Sequence, residues 1–146
     1  MKLLFLYFSG TGNTDYVAHY LAQRLDQVET ERRSIEWQPA EKVTDFDLLA
    51  FGFPVYAADS PGFVQTYLEQ LPHGTDRGAF AFCTKGAYAA SAVKLNLQRL
   101  AMRGYVPLGG DDVMMPGTDG LSMISKDSWM ARKALQKDYD QLKDCL

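Results

Sequence analysis

The sequence predicts an α/β fold: a doubly wound, five-stranded parallel sheet in the order 2-1-3-4-5, with helices on both faces. Short apolar runs alternate along the chain with helical patterns that are apolar on one side. The most apolar runs are typical of strands buried on both faces of a parallel sheet. With 146 residues, 47% of them hydrophobic, we expect one domain over residues 1–146 with a substantial core.

The three central strands are predicted at residues 3–8, 48–53 and 79–83, which are almost wholly apolar. Residues 31–37 carry two arginines and a serine in their middle, which favours a strand at the sheet edge. Residues 111–115 supply the fifth strand.

The fifth strand is expected to start near Tyr105 and to end at Pro116. Gly109 and Gly110 indicate a bulge or bend inside it.

Four helical patterns lie between and after these strands. Residues 36–47 are an exception, because Pro39 and the short length of this segment predict only a reduced or irregular helix there. The third pattern spans residues 90–103 and the last begins near residues 127–128. Their predicted core-facing residues are Val17, Ala18, Leu21, Ala22 and Leu25; Phe63, Val64, Tyr67, Leu68 and Leu71; Val93, Leu97, Leu100 and Ala101; and Ala131, Leu135, Tyr139 and Leu142.

The turn between the first strand and the first helix has the composition of a phosphate-binding loop. Its residues are Ser9, Gly10, Thr11, Gly12, Asn13 and Thr14. Such a turn leaves backbone N–H groups unpaired at a helix N-terminus, which carries about half a positive charge. Side-chain donors without a lysine or arginine favour a phosphate monoester held by neutral groups over a turn that only caps the helix.

Two further loops follow the third and fourth strands and meet the first loop at the carboxyl edge of the sheet, where ligands bind in such folds. Each carries one tyrosine, Tyr56 or Tyr88, among small residues. Two rings leave room for a flat aromatic ligand, and stacking adds about 0.5–1.5 kcal/mol per ring. The alternative is two ordinary loop tyrosines. The other residues of these two loops that are predicted to line the ligand site are Pro54, Val55, Ala57, Ala58, Thr84, Lys85, Gly86 and Ala87.

Charge and composition exclude several classes of function. A net charge of -3 without a basic run argues against nucleic acid as a partner. Only six apolar residues follow Met1 and Lys2, too few for a signal peptide or a membrane span, so we expect no membrane association and a cytoplasmic location. Cys83 and Cys145 form no metal or disulfide pattern and are expected to be free thiols.

Other chemistries fit the residues less well. A dinucleotide motif needs a third glycine where Asp15 stands, and no Gly-Lys-Ser/Thr triplet forms a P-loop. Cys83 as a phosphatase-type nucleophile would need an arginine six residues on, where Ala89 stands. His19 and His73 have no second histidine or cysteine at a spacing typical of a metal or catalytic site. We predict no catalytic residue and no metal site.

The chain resembles the flavodoxin family, whose first loop follows the pattern Ser/Thr-x-Thr-Gly-x-Thr. Residues 9–14 match it at every defined position, and the likeness continues through residues 52–56, Pro61, residues 83–88 and the helix after them. It is similar to short-chain flavodoxins and to flavodoxin modules that some anaerobic bacteria and archaea fuse to a two-cluster ferredoxin. Two cysteines cannot hold one cluster, so we expect a free-standing protein or an excised domain.

The resemblance implies FMN as cofactor and low-potential transfer of single electrons between redox proteins, a reductase and an acceptor, with the flavin supplying the redox chemistry. A monomer is expected. Ser9, Thr11, Asn13 and Thr14, with the N–H groups of Gly10 and Gly12, would hold the 5′-phosphate. Tyr56 and Tyr88 would flank the isoalloxazine. Backbone groups of Ala57, Ala58, Thr84 and Gly86 would reach its polar edge.

Ala57 and Ala58 depart from the family, in which a peptide of this loop turns to accept a hydrogen bond from reduced N5, often at a glycine. Positive φ at a non-glycine residue costs about 1 kcal/mol. We hypothesise that the one-electron-reduced flavin is stabilised less here than in a relative with glycine.

Lys85 is the second departure. A cation beside the pyrimidine edge would raise the potential, and nearby carboxylates would lower it. We expect its ammonium to be solvated. The carboxylates that would lower the potential if they lie near the flavin are Asp59, Asp111, Asp112 and Asp119.

Two alternatives stay open. A small FMN-dependent quinone or NAD(P)H oxidoreductase on the same fold would need a substrate pocket, for which residues 116–126 are a candidate segment. A binding module that has lost flavin is the third interpretation, against which the intact phosphate loop argues.

Overall fold

The computed structural model describes residues 1–86, 89, 91–115 and 129–144; within the last range it describes the side chains of residues 133, 136, 137 and 139–144. Five parallel strands form one sheet in the order 2-1-3-4-5, which confirms the predicted topology. The strands are β1 (Lys2–Tyr7), β2 (Glu29–Ser34), β3 (Leu48–Pro54), β4 (Gly78–Lys85) and β5 (Val106–Met114). The α-helices are α1 (Asn13–Ala22), α2 (Gly62–Gln70), α3 (Ala92–Met102) and α4 (Trp129–Asp144).

The sheet separates two apolar cores, because successive side chains of a strand point to opposite faces. From β1, Leu4 and Leu6 enter the core that contains Val64 and Leu100 of α2 and α3. Leu3 and Phe5 enter the second core, on the side of α1 and α4. Both faces of the central strands are therefore buried, as their apolar runs predict.

Where the prediction expected a reduced second helix, the chain forms a short 3-10 helix at Ala40–Lys42. The predicted irregularity in β5 is also present, since Ala79 pairs with Pro107 while Phe80 pairs with Gly109. One additional residue therefore lies in β5 at this point, as in a β-bulge.

Several boundaries and burial predictions were wrong. β2 ends at Ser34, so Trp37 lies outside the sheet, and β4 extends through Thr84 and Lys85, which were expected in a loop. Phe63 was expected to face the core but is 52% exposed; its ring instead packs edge-on against Phe8, with centroids 4.6 Å apart. Phe63 thus contacts Phe8 at the carboxyl edge of the sheet instead of entering the core.

Some predictions lie outside the described residues: Ala87, Tyr88, Ala90, Cys145, the segment 116–126 and the helix start at residues 127–128. The predicted core positions Ala131 and Leu135 lie in α4, but their side chains are outside the described set. Cys83 is buried and not in a disulfide. Across the described ranges, no helix has the length and apolar character needed to cross a membrane.

Candidate functional site

The loop at residues 9–14 turns into α1 through Gly12, whose φ is 90°. A Cβ at this position would meet no atom within 4 Å, so the backbone conformation, and not a lack of space, favours glycine. Gly12 at the N-cap has no side chain that could cap α1. The N-terminus of the helix, with the partial positive charge of its dipole, faces this loop.

The backbone of this loop presents donors at the helix end. Gly10 and Thr11 are exposed, and within the described part of the chain the N–H groups of Gly10, Thr11 and Gly12 donate to no protein acceptor. Ser9 Oγ accepts the N–H of Asp15 at 3.1 Å, which leaves its own O–H to donate. This arrangement suits an anion.

Thr14 connects the loop to the end of β4. Its Oγ1 lies 2.9 Å from Thr84 Oγ1, and both residues are buried. Because one hydroxyl donates to the other, a second hydroxyl hydrogen of the pair is left for another acceptor. The hydrogen bond also fixes the distance between two edges of the predicted pocket.

An acidic side chain follows the loop, and two neighbours bind it. Tyr7 Oη donates to Asp15, and Arg32 Nη1 lies 3.1 Å from Asp15 Oδ1. Burial, together with the hydrogen bond to Asp15, raises the pKa of Tyr7 to about 12. Arg32 offsets the negative charge that Asp15 would otherwise place beside an anion at the loop.

The loop after β3 contains a tight turn in which both central residues have positive φ, Ala57 at 49° and Ala58 at 73°. The Tyr56 N–H donates to the Asp59 carbonyl at 2.8 Å, and the Asp59 N–H donates back at 3.2 Å. This is the pattern of a type I′ turn, which usually contains Gly or Asn. Each alanine in this region costs about 1–2 kcal/mol.

The next residue, Asp59, is the centre of a polar network. Arg99 of α3 places Nη1 2.9 Å from Asp59 Oδ1 and Nη2 2.7 Å from Oδ2. Asn96 Nδ2 donates to Oδ1 at 3.1 Å, and the N–H of Ser60 donates to the same oxygen at 2.7 Å. The carboxylate therefore connects the strained turn to α3.

The environment of Asp59 keeps it ionised. Partial burial alone would raise its pKa, but the Arg99 guanidinium, the Ser60 N–H and the Asn96 amide together hold the pKa below its usual value. At neutral pH the pair is a charged, bidentate ion pair, which is the strong form of this interaction.

Tyr56 brings the two loops together. Its hydroxyl lies 3.1 Å from the position that a Cβ on Gly10 would occupy, and its side chain is half exposed. A larger residue at position 10 would displace the tyrosine. The hydroxyl end of Tyr56, the aromatic residue predicted from sequence for this loop, thus lies beside Gly10 of the phosphate-binding candidate.

The end of β4 completes the carboxyl edge. The Thr84 carbonyl accepts the N–H of Val55 at 2.9 Å, directly after Pro54, the last residue of β3. Lys85, expected to be solvated, instead lies with Nζ 2.5 Å from Asp112 Oδ1, and its side chain is 17% exposed. Lys85 and Asp112 were expected to have opposite effects on the flavin potential, and in the structure their charges offset each other.

The structure therefore places loop 9–14, residues 54–59 and residues 84–86 at one edge of the sheet, while Ala87 and Tyr88 are not described. Sequence reasoning missed Arg32 and Arg99, whose positions carry no local signal. Asn96 did carry one: it lies between Ala92 and Leu100 at helical spacing, and all three are buried.

A family model described as "Flavodoxin domain" matches residues 4–104. A search of curated proteins found no match. Among solved structures, oxidised flavodoxin 2 of Bacillus cereus has 18% identity and a TM-score of 0.73, with 100% of each chain covered.

Two other solved structures show the same fold in different settings. A flavoprotein of Lactobacillus acidophilus in complex with FMN is 16% identical, with a TM-score of 0.59, 76% of this chain and 92% of that chain covered. Rubredoxin oxygen:oxidoreductase of Desulfovibrio gigas is 16% identical with a TM-score of 0.68, and the match covers 97% of this chain but 37% of that chain.

Proposed function

Because this chain belongs to the flavodoxin domain family, we propose that it binds FMN at the carboxyl edge of its sheet and carries single electrons between redox proteins. The observation that carries the proposal is the loop 9–14: the N–H groups of Gly10, Thr11 and Gly12, which donate to no acceptor in the described part of the chain, lie at the N-terminus of α1 beside the exposed Tyr56. A phosphate and an aromatic ring in one ligand match this pair of features.

The residues present fit the phosphate of FMN. The N–H groups of Gly10, Thr11 and Gly12 and the Ser9 hydroxyl are donors at one place, and Thr14 adds a hydroxyl held by Thr84. Asp15 would repel a phosphate, but its carboxylate already binds Arg32 and Tyr7. Neutral donors and a helix dipole thus act beside an Asp15 carboxylate whose charge is offset by Arg32.

The second wall of the proposed site is formed by Tyr56 and the turn after it. Ala57 and Ala58 in this turn are exposed residues, and their backbone groups would meet a ligand's polar edge. FMN supplies the one-electron chemistry when bound. The protein's part is to hold the ligand, shield one side of the ring and set the charges around it, including the Lys85–Asp112 pair.

FMN binding to the flavin-free chain tests the proposal. FMN fluorescence should be quenched on titration, and riboflavin, which lacks the phosphate, should bind at least about tenfold more weakly because the loop donors remain unused. Thr11→Val should weaken FMN more than riboflavin. Thr44→Val, at an exposed threonine away from this edge, is the matched control. Equal affinity for FMN and riboflavin would overturn the phosphate assignment.

The carrier function requires a separate measurement. A carrier should exchange electrons with a redox protein in stopped flow and should show no sustained NAD(P)H or quinone turnover. Steady turnover with either small substrate would establish the oxidoreductase alternative on the same fold. Purification without flavin together with failure to bind added FMN would favour a flavin-free module.

A further inference from the structure

The structure assigns Arg99 a positioning role: through Asp59 it holds the turn 56–59 in its positive-φ form, so that one wall of the ligand site exists before the ligand binds. The inference rests on the proposed function for the identity of that ligand, FMN. It adds a residue of α3 that lies outside the three loops of the site.

The turn has little internal stability. Its two central residues are exposed alanines with positive φ, a conformation disfavoured for residues with a Cβ. Two backbone hydrogen bonds join Tyr56 and Asp59, and neither central side chain is large enough to anchor the turn. Residues held in such conformations persist when the surrounding structure imposes them.

Arg99 is the group that imposes it. Both terminal nitrogens of its guanidinium bind the two oxygens of Asp59, at 2.9 and 2.7 Å, and Nη2 also lies 3.2 Å from Gln65 Oε1. A planar fork that meets a carboxylate in this way fixes its orientation as well as its position. The residue that ends the turn is thereby attached to two helices, α2 and α3.

A buried asparagine side chain supports the Asp59–Arg99 ion pair. Asn96 is fully buried; its Nδ2 donates to Asp59 Oδ1 and to the Ala92 carbonyl, and its Oδ1 accepts from Ser60 Oγ at 2.8 Å. Every polar atom of this amide has a partner. A satisfied buried network of this kind specifies one arrangement, because any other would leave polar groups unpaired.

The geometry transmits this constraint to the ligand site. Tyr56 is the first residue of the turn, and its hydroxyl lies against Gly10 of the phosphate-binding candidate. A turn free to leave its present shape would move the tyrosine and the backbone groups at residues 57 and 58. Ligand binding would then have to restore their order, which lowers affinity.

The first part of the test is amide hydrogen exchange in the flavin-free full chain. Arg99→Gln should speed exchange of the Tyr56 and Asp59 amides by about tenfold or more, while the Tyr16 amide, which donates to Gly12 in the other loop, should keep its rate. Lys94→Gln removes the same charge from an exposed site on the same helix and should change none of the three. Arg99→Lys, which keeps the charge without the fork, should give an intermediate rate.

The second part is FMN affinity of the same variants. Arg99→Gln should weaken FMN about tenfold and should change the separation of the two one-electron potentials, whereas Lys94→Gln should leave both as in the wild type. Arg99→Lys keeps the proposal testable if the glutamine variant fails to fold.

The outcomes separate the two proposals. Unchanged exchange at Tyr56 and Asp59 in the Arg99 variants would show that the turn holds itself and would overturn the inference. Faster exchange with unchanged FMN affinity would overturn the positioning role. A wild-type chain that binds no FMN would overturn the proposed function, while the exchange rates would still decide whether Arg99 holds the turn.

Discussion

The two loops at the carboxyl edge reach their conformations in different ways. In loop 9–14, the residue with positive φ is Gly12, and the free donors are the loop's own N–H groups. In the turn 56–59, the residues with positive φ are alanines, and the groups that hold them belong to Asp59 and to a helix some forty residues later in the chain. The conformation of loop 9–14 is favoured by a glycine of the loop itself. The conformation of the turn 56–59 depends on tertiary contacts.

This difference predicts opposite sensitivities. Changes at the exposed residues Gly10 and Thr11 of the first loop should act mainly on ligand binding, because their N–H groups donate to no acceptor among the described residues. Changes in the network behind the second loop should act on the folded state first, because they leave buried polar groups without partners.

The largest expected effect is that of Asn96→Leu. It removes three hydrogen bonds from a fully buried network and should lower the free energy of unfolding by about 2–3 kcal/mol, measured by urea denaturation. Gln98→Leu, at an exposed position of the same helix, should change it by less than about 0.5 kcal/mol. Equal effects of the two would show that the network adds no stability and would break the comparison.

Next in size is Thr14→Val. The valine fills the same space but leaves the buried Thr84 hydroxyl without its partner, which should cost about 1–2 kcal/mol of stability in the flavin-free chain. Thr11→Val, at an exposed residue three positions earlier, should leave stability unchanged and weaken FMN binding. If both variants lost stability equally, the first loop would depend on tertiary contacts as the second does.

The backbone can be tested with substitutions of opposite direction. Gly12→Ala should destabilise the chain by about 1 kcal/mol because φ is 90°. Ala58→Gly should stabilise it by about 0.5–1 kcal/mol, because glycine removes the strain of a positive φ but adds conformational entropy to the unfolded chain. Ala101→Gly in α3 should destabilise it by about 1 kcal/mol, as glycine does in helices. A destabilising Ala58→Gly measured by thermal unfolding would contradict the strain assigned to the turn.

The smallest effect concerns pH at the first loop. Since the pKa of Tyr7 is raised from 10.0 to about 12, its contribution to stability is complete below about pH 10 and is lost as pH rises toward 12. Tyr7→Phe should remove this alkaline decline and cost about 0.5–1 kcal/mol at neutral pH, since Asp15 keeps Arg32. An unchanged pH dependence of unfolding in the phenylalanine variant would contradict the assignment.

The fold was predictable because its signals are local. Apolar runs over β1, β3 and β4 require burial on both faces, and Pro39 in a short segment left room for no more than a short helix. The family pattern in residues 9–14 was equally readable. Phe63 was not, because helical spacing places it on the core side while its contact with Phe8 at the sheet edge keeps it outside.

By itself, the sequence determined the order of the strands, which follows from the alternation of apolar runs and helical patterns and from right-handed crossovers. It also determined the position of the first loop and the glycine that shapes it, which follow from the residues of one segment. The tertiary structure alone decided that Lys85 binds Asp112, that Arg32 offsets Asp15, and that Arg99 binds Asp59 at the end of the positive-φ turn. The reason is physical: a charge pair or a strained turn depends on groups that come together only after the strands have paired, and no local pattern records which distant side chain will be there.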